Sequence, residues 1–254
     1  MFESSAHLEI KDIDINCDVG EGEGNENKLF PLISSCNIAC GGHAGNVDLM
    51  RKLVRLSKEH NIKVGAHPSY PDRENFGRIS LELPKEEFLG SIRNQLRTMM
   101  RILNEEDGEL HHIKPHGALY NDIAKDREKA ELFLEAISAY RRNTKLFVPY
   151  KSIVEEIALS KGWELVREAF GDRNYNDDLS LVSRKDDRAL IEVPFMVLDH
   201  IVRMVNEHQV KSVTGNLHPM KADTICIHGD TPTALQILEY LSTELSKHQI
   251  RITK

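Results

Sequence analysis

The sequence predicts an α/β protein whose parallel strands and covering helices close, or nearly close, into one barrel. Three observations predict it. Short apolar strand segments alternate with amphipathic helical segments along the chain, the pattern of βαβ units and a parallel sheet. About seven such units follow one another without a Gly/Ser-rich or Pro-rich linker. The 254 residues also match a single α/β barrel, which runs to about 250 residues, so one barrel domain over residues 1–254 is expected. A doubly wound open sheet built from the same units is the competing architecture.

In chain order, strands are expected at residues 12–17, 37–40, 62–66, 111–114, 145–148, 164–168 and 224–227. In residues 46–60, Leu49, Met50, Leu53, Val54 and Leu56 fall largely on one helical face. In residues 85–103, Phe88, Leu89, Ile92, Leu96, Met99, Met100 and Leu103 follow the 3.6-residue helical period. Pro194 and Pro232 are placed like first-turn prolines of two later helices, with Thr231 as the N-cap of the second.

Lys and Arg number 33 against 40 Asp and Glu, a net charge of −7, which argues against binding nucleic-acid backbones as the main task. No apolar run reaches the roughly 18–20 residues a membrane span needs. No signal-like leader opens the sequence. Cys17, Cys36, Cys40 and Cys226 form no C-x-x-C pair, so they are expected as reduced, buried residues of a cytoplasmic protein. The sequence leaves a homo-oligomer open.

The chemistry collects just after the strands. There the chain places Asp18, His43, His67, Lys114, His116, Asp172, Arg173, His228 and Asp230, mostly beside glycine. In a parallel barrel these strand ends form one rim, and the rim holds the active site. One histidine beside a glycine is ordinarily a hydrogen-bonding residue of a turn. Four at successive strand ends form a pattern. The other eight histidines, such as His7, His60 and His248, fall in helices, tails or turns, and His111 and His112 are read as structural. Asp18, Asp172 and Asp230 can serve as general bases, orient a histidine or hold a metal. Neutral imidazoles can relay protons near pH 7. Lys114 and Arg173 suit a carboxylate or phosphate, or else an ion pair with a neighbouring aspartate. A divalent metal, if bound, would use Asp18, His43, His67 and His116. No H-E-x-x-H, Walker-type loop or G-x-G-x-x-G is present, and the glycine-rich segment 20–24 is acidic.

Six stretches taken together resemble the LamB/YcsF family. They are NCDVGEG (16–22), SCNIACGGHAG (35–45), GAHPSYPDRENFG (65–77), KPHGALYN (114–121), DRNYNDDLSLVSR (172–184) and DTICIHGDTP (223–232). The resemblance spans about residues 14–245, with the motifs in family order. It implies a seven-stranded β/α barrel related to the polysaccharide-deacetylase superfamily. It also implies ATP-dependent hydrolysis of 5-oxoproline to L-glutamate, with this chain as the A component of a 5-oxoprolinase that includes partner subunits B and C. Under that reading Asp18, His43, His67, His116 and Asp230 are the expected catalytic residues. Asn16, Glu21, Lys114, Tyr120, Asp172, Arg173 and His228 are expected to bind the substrate. The chain departs from the family at Gly42, where an aromatic is usual, at Asn46-Val47, where Asp-Pro is usual, and at Ser69, usually glycine. It departs again at Ile79, Gly171 and Leu179, where arginine, alanine and glycine are the common residues. Two other readings compete: a metal-dependent amidase or deacetylase acting alone, and a non-catalytic subunit that binds a small acid.

Overall fold

The computed structural model describes residues 10–254. Its strands are β1 Lys11–Val19, β2 Ser35–Ala39, β3 Lys63–His67, β4 His112–Ile113, β5 Lys145–Pro149, β6 Leu165–Phe170, β7 Gln209–Lys211, β8 Leu217–Pro219, β9 Thr224–Cys226 and β10 Ile250–Ile252. Its α-helices are α1 Glu26–Leu29, α2 Val47–Glu59, α3 Lys85–Glu105, α4 Gly117–Lys125, α5 Arg127–Ala136, α6 Ile153–Ser160, α7 Pro194–Val202 and α8 Ala234–Glu244.

Each expected strand forms, with ends shifted by no more than two residues. β1 to β6 pair in parallel in sequence order, and β9 then pairs with both β6 and β1. That double pairing closes a seven-stranded barrel and excludes the open sheet. The sequence of β1 shows how it is built. Its residues alternate, and Ile13, Ile15, Cys17 and Val19 are buried in the apolar core. Asn16 and Asp18 occupy the other parity and hydrogen-bond across the barrel interior to Asn37 and Lys114. This barrel therefore has a polar interior under its rim, with its apolar core between strands and helices.

The helices supply the outer half of that core. Leu53 and Val54 of α2 and Ile92, Leu96, Met99 and Leu103 of α3 are fully buried, each worth about 1.5–3 kcal/mol of transfer free energy. The side chain of Asn46 caps α2, accepting from the Leu49 amide at 2.9 Å. α7 begins on Pro194, as expected. α8 instead begins at Ala234 with Thr233 at its N-cap position. The Thr231 hydroxyl, expected to cap this helix, donates to Asp172 at 2.6 Å.

Three short strands have no counterpart in the sequence reading. β7 and β8 form an antiparallel pair, and β10 lies parallel to the first residues of β1, Lys11 to Ile13. Among the described residues, no helix is long and apolar enough to cross a membrane.

Candidate active site

The C-terminal strand ends surround a cavity of about 570 Å³, lined among others by Asp18, Glu21, His67, Lys114, His116, Tyr120, Arg173, His228 and Asp230. A hollow of about 610 Å³ at the start of β1, lined by Ile10, Leu32, Leu245 and Ile252, holds none of the converging histidines or carboxylates.

The floor of the cavity is an ion network. Lys114 Nζ lies 2.9 Å from Asp18 Oδ1 and 2.8 Å from Glu168 Oε1. It also reaches Asn16 Oδ1 at 3.2 Å and Cys226 Sγ at 3.1 Å. The lysine is only 2% exposed. Burial alone would favour the neutral amine. The carboxylates of Asp18 and Glu168 outweigh it and hold the ammonium well above its usual range. Burial likewise opposes ionisation of Asp18, but His67 and Lys114 hold its carboxyl well below the usual carboxylate range. Below this layer Asn37 Nδ2 donates to Asn16 and Asp18, both at 2.8 Å, while its Oδ1 accepts from His112 Nε2 at 2.6 Å. The His112 ring stacks on Phe147, with centroids 3.9 Å apart, over Gly65. A Cβ on Gly65 would lie 2.1 Å from His112 Nε2, so β3 needs glycine here.

One wall is a histidine cluster. His67 Nδ1 donates to the Lys114 carbonyl at 2.7 Å, and His116 Nε2 donates to the Phe76 carbonyl at 2.9 Å. Glu21 Oε1 lies 2.8 Å from His43 Nε2 and 3.2 Å from His116 Nδ1. Burial opposes its charge, yet the close contacts with His116 and His43 hold the carboxyl well below its ordinary value. Burial pushes His43 down to about 4 and also lowers His116. Gly117 opens α4 at φ +55°, where a Cβ would meet the Gly77 carbonyl at 2.6 Å. That close approach brings the loop carrying Phe76 against the start of α4.

The opposite wall is an aspartate–histidine pair. His228 Nδ1 donates to Asp172 Oδ1 at 2.9 Å, while Asp172 Oδ2 accepts the His228 amide at 2.9 Å and the Thr231 hydroxyl. Burial opposes the charge on Asp172, but His228 and these hydrogen bonds lower its carboxyl. The imidazole is left with Nε2 uncommitted. At the mouth, Asp230 is held by Arg78 and Arg184. Arg173 gives Nε and Nη2 to the Ala189 and Val182 carbonyls and keeps Nη1 uncommitted. Burial and the neighbouring Arg184 lower it to about 10.

Nine of the twelve residues expected at the site line the cavity. Three do not. His43 stacks behind His116 with ring centroids 3.6 Å apart. Asn16, fully buried, meets Asn37, Lys114 and Thr224. Asp172, also fully buried, meets His228 and Thr231. The polar contacts of Asn16 and Asp172 are to protein groups. Asn37, Glu168, His112, Arg78 and Arg184 were missed. The parity of the strands carries a signal for two of them, because Glu168 sits two residues before Phe170 of the cavity, and His112 two before Lys114. His112, structural by its sequence position, hydrogen-bonds Asn37, the partner of Asp18.

Donor atoms of Glu21, His43, His67 and His116 lie within 4.8 Å of one another, and a second group joins Asp18, Cys226 and His228. These donor types are compatible with a divalent metal. The expected set had Asp18 where this cluster has Glu21. Two family departures also meet in space. A Cβ on Gly42 would lie 2.3 Å from Ser69 Oγ and 2.6 Å from Gln95 Oε1.

The family model for LamB/YcsF matches residues 13–254. The chain is 39% identical over 244 residues to the 5-oxoprolinase A subunit of Haemophilus influenzae strain PittEE, covering 96% of this chain and all of that protein. It is 40% identical over 245 residues to the 5-oxoprolinase A subunit of Thermococcus sibiricus, covering 94% of this chain and 96% of the relative. Among solved structures it is similar to the lactam utilization protein of Thermus thermophilus. That match has a TM-score of 0.84 and 34% identity, over 95% of this chain and 98% of the other. The chain belongs to the LamB/YcsF family.

Proposed function

We propose that this chain is the lactam-opening subunit of an ATP-dependent 5-oxoprolinase, converting 5-oxoproline and water to L-glutamate. The observation that carries the reading is the near full-length 39% identity to a 5-oxoprolinase A subunit, joined to a cavity whose walls match the reaction's needs. Hydrolysis adds water oxygen to the ring carbonyl carbon, breaks the C–N bond and requires a proton on the departing nitrogen. His228, backed by Asp172, is the group we assign to moving that proton at Nε2. Asp18, kept ionised by Lys114, is suited to orient the attacking water. Arg173 is assigned to the substrate carboxylate through its free Nη1. ATP would be used together with partner subunits B and C, activating the stable amide oxygen. The lettered designation of the relatives supports an assembly of this kind. A cytoplasmic location fits four buried cysteines without disulfides.

Reconstitution with candidate B and C subunits tests this, following glutamate and ADP release together. The expected result is equimolar glutamate and ADP from the assembly and no turnover from the chain alone. Turnover by the isolated chain without ATP would instead support a stand-alone amidase. An Asp18→Asn assembly that kept full turnover would support a non-catalytic binding role.

A further inference from the structure

The backbone fixes the tautomers of two histidines in the cavity wall, and the result leaves their lone pairs facing each other. His67 Nδ1 lies 2.7 Å from the Lys114 carbonyl oxygen and His116 Nε2 lies 2.9 Å from that of Phe76. A carbonyl oxygen only accepts, so each ring keeps its proton at that end. A neutral imidazole has one N–H. With both rings neutral, His67 Nε2 and His116 Nδ1 are both bare, and they lie 3.0 Å apart. Phe76 itself sits at φ +56°, a left-handed conformation uncommon for a bulky residue. The backbone thus holds a costly geometry at the carbonyl that orients His116.

Carboxylate oxygens complete the cluster. Glu21 Oε1 is 3.2 Å from His116 Nδ1 and 3.7 Å from His67 Nε2. Asp18 Oδ2 is 3.4 Å from His67 Nε2. Electron-rich atoms so placed repel unless positive charge sits among them. His43 does not supply it at the centre. It donates from Nε2 to Glu21 at 2.8 Å and lies outside the cavity lining, stacked on His116.

We infer that His67 Nε2, His116 Nδ1 and Glu21 Oε1 form a binding site for one divalent transition-metal cation of the zinc class. An ion bonded at about 2.0–2.2 Å with tetrahedral angles sets its ligand atoms about 3.3–3.6 Å apart. The three separations here, 3.0, 3.2 and 3.7 Å, bracket that range. Metal-ligating histidines commonly donate their other N–H to a carbonyl, as both do here. Two imidazole nitrogens select a borderline transition ion over magnesium or calcium, which prefer oxygen. Three protein ligands leave a coordination position open, and all three residues line the cavity. Asp18 then lies beside that position and can orient a bound water. Binding of the ion stands apart from the lactam reading; its use on the amide carbonyl or the attacking water rests on that reading.

The test uses the full chain without a purification tag, stripped with chelator and dialysed with Zn²⁺ or Co²⁺. Metal content by mass spectrometry and the Co²⁺ visible spectrum are the readouts. We expect one ion per chain, ligand-field bands of a four- or five-coordinate site, and affinity at least about 100-fold weaker in Glu21→Gln and His116→Ala. His248→Ala should bind like the parent, and circular dichroism checks that each variant is folded. Two results would overturn the proposal: no ion above background, which would leave a proton shared between the rings, or equal retention in all variants. If metal binds as described but the assembly makes no glutamate, the site stands and the lactam reading falls. If glutamate forms with no metal bound, the site falls alone.

Discussion

Replacing Lys114 with methionine removes one charge from the cavity floor while keeping most of the side-chain volume. The lysine is 2% exposed, so solvent screens its ion pairs little. Its loss leaves Asp18 and Glu168, previously 2.9 and 2.8 Å from the ammonium, as buried carboxylates without their cation. Removing one partner of a buried pair costs about 3–5 kcal/mol. For a chain of this size each kcal/mol moves the melting temperature by about 2–4 °C, so a fall of about 6–20 °C is expected. The pH dependence gives the sharper test. In the parent, the Asp18 carboxyl is held below its unfolded value of 3.8. Its stabilisation is thus fully present above that pH and is lost only as pH falls through the lower folded value. In the variant the folded-state value rises above the unfolded one, so Asp18 takes up a proton on folding and stability recovers as pH falls. The gap between the two melting curves, measured by calorimetry, should be widest at about pH 8 and narrow toward about pH 5. A gap under about 1 kcal/mol, or one independent of pH, would show that the lysine does not carry the charge balance assigned to it.

Asp172→Asn should preserve the fold, since the amide can occupy the same space, but it disturbs the tautomer of His228. Turnover of the reconstituted assembly should fall about 100-fold or more, and unchanged turnover would remove His228 from the proton transfer. His112→Phe keeps a ring on Phe147 but loses the donor to Asn37, so kcat should drop with KM nearly unchanged. His112→Gln, whose amide nitrogen reaches the place of Nε2, should recover most of the loss. Equal rates for the two variants would reduce His112 to a packing residue.

Most of the barrel was legible because each strand carries its signal in few residues. Alternation in β1 and the short apolar runs of β2, β3 and β9 identify themselves, and the turn residues after them mark the rim. β10 was not legible: three residues, Ile250 to Ile252, gain strand geometry only by pairing with β1. In the site, the strand ends identified residues near the cavity but not their depth. Asp172 carries a carboxylate that suits a ligand; the fold sets His228 and Thr231 against it, and those contacts span 56 and 59 residues of sequence. Lys114 reads as an anion-binding cation until Glu168 is placed beside it. Long-range satisfaction of buried polar atoms decides these cases, and local pattern does not contain it.

The meeting of Gly42 with Ser69 and Gln95 bears on how this chain can diverge from its relatives. An aromatic introduced at Gly42 would collide with the Ser69 hydroxyl and the Gln95 amide, while shrinking Ser69 removes that hydroxyl and keeps the Gln95 contacts, which are to the backbone of residue 69. A side chain at residue 42 therefore depends on what stands at 69 and 95. Differences in amino-acid identity at such positions are then not independent events, and a simple count of mismatches overstates how far this wall of the barrel has drifted.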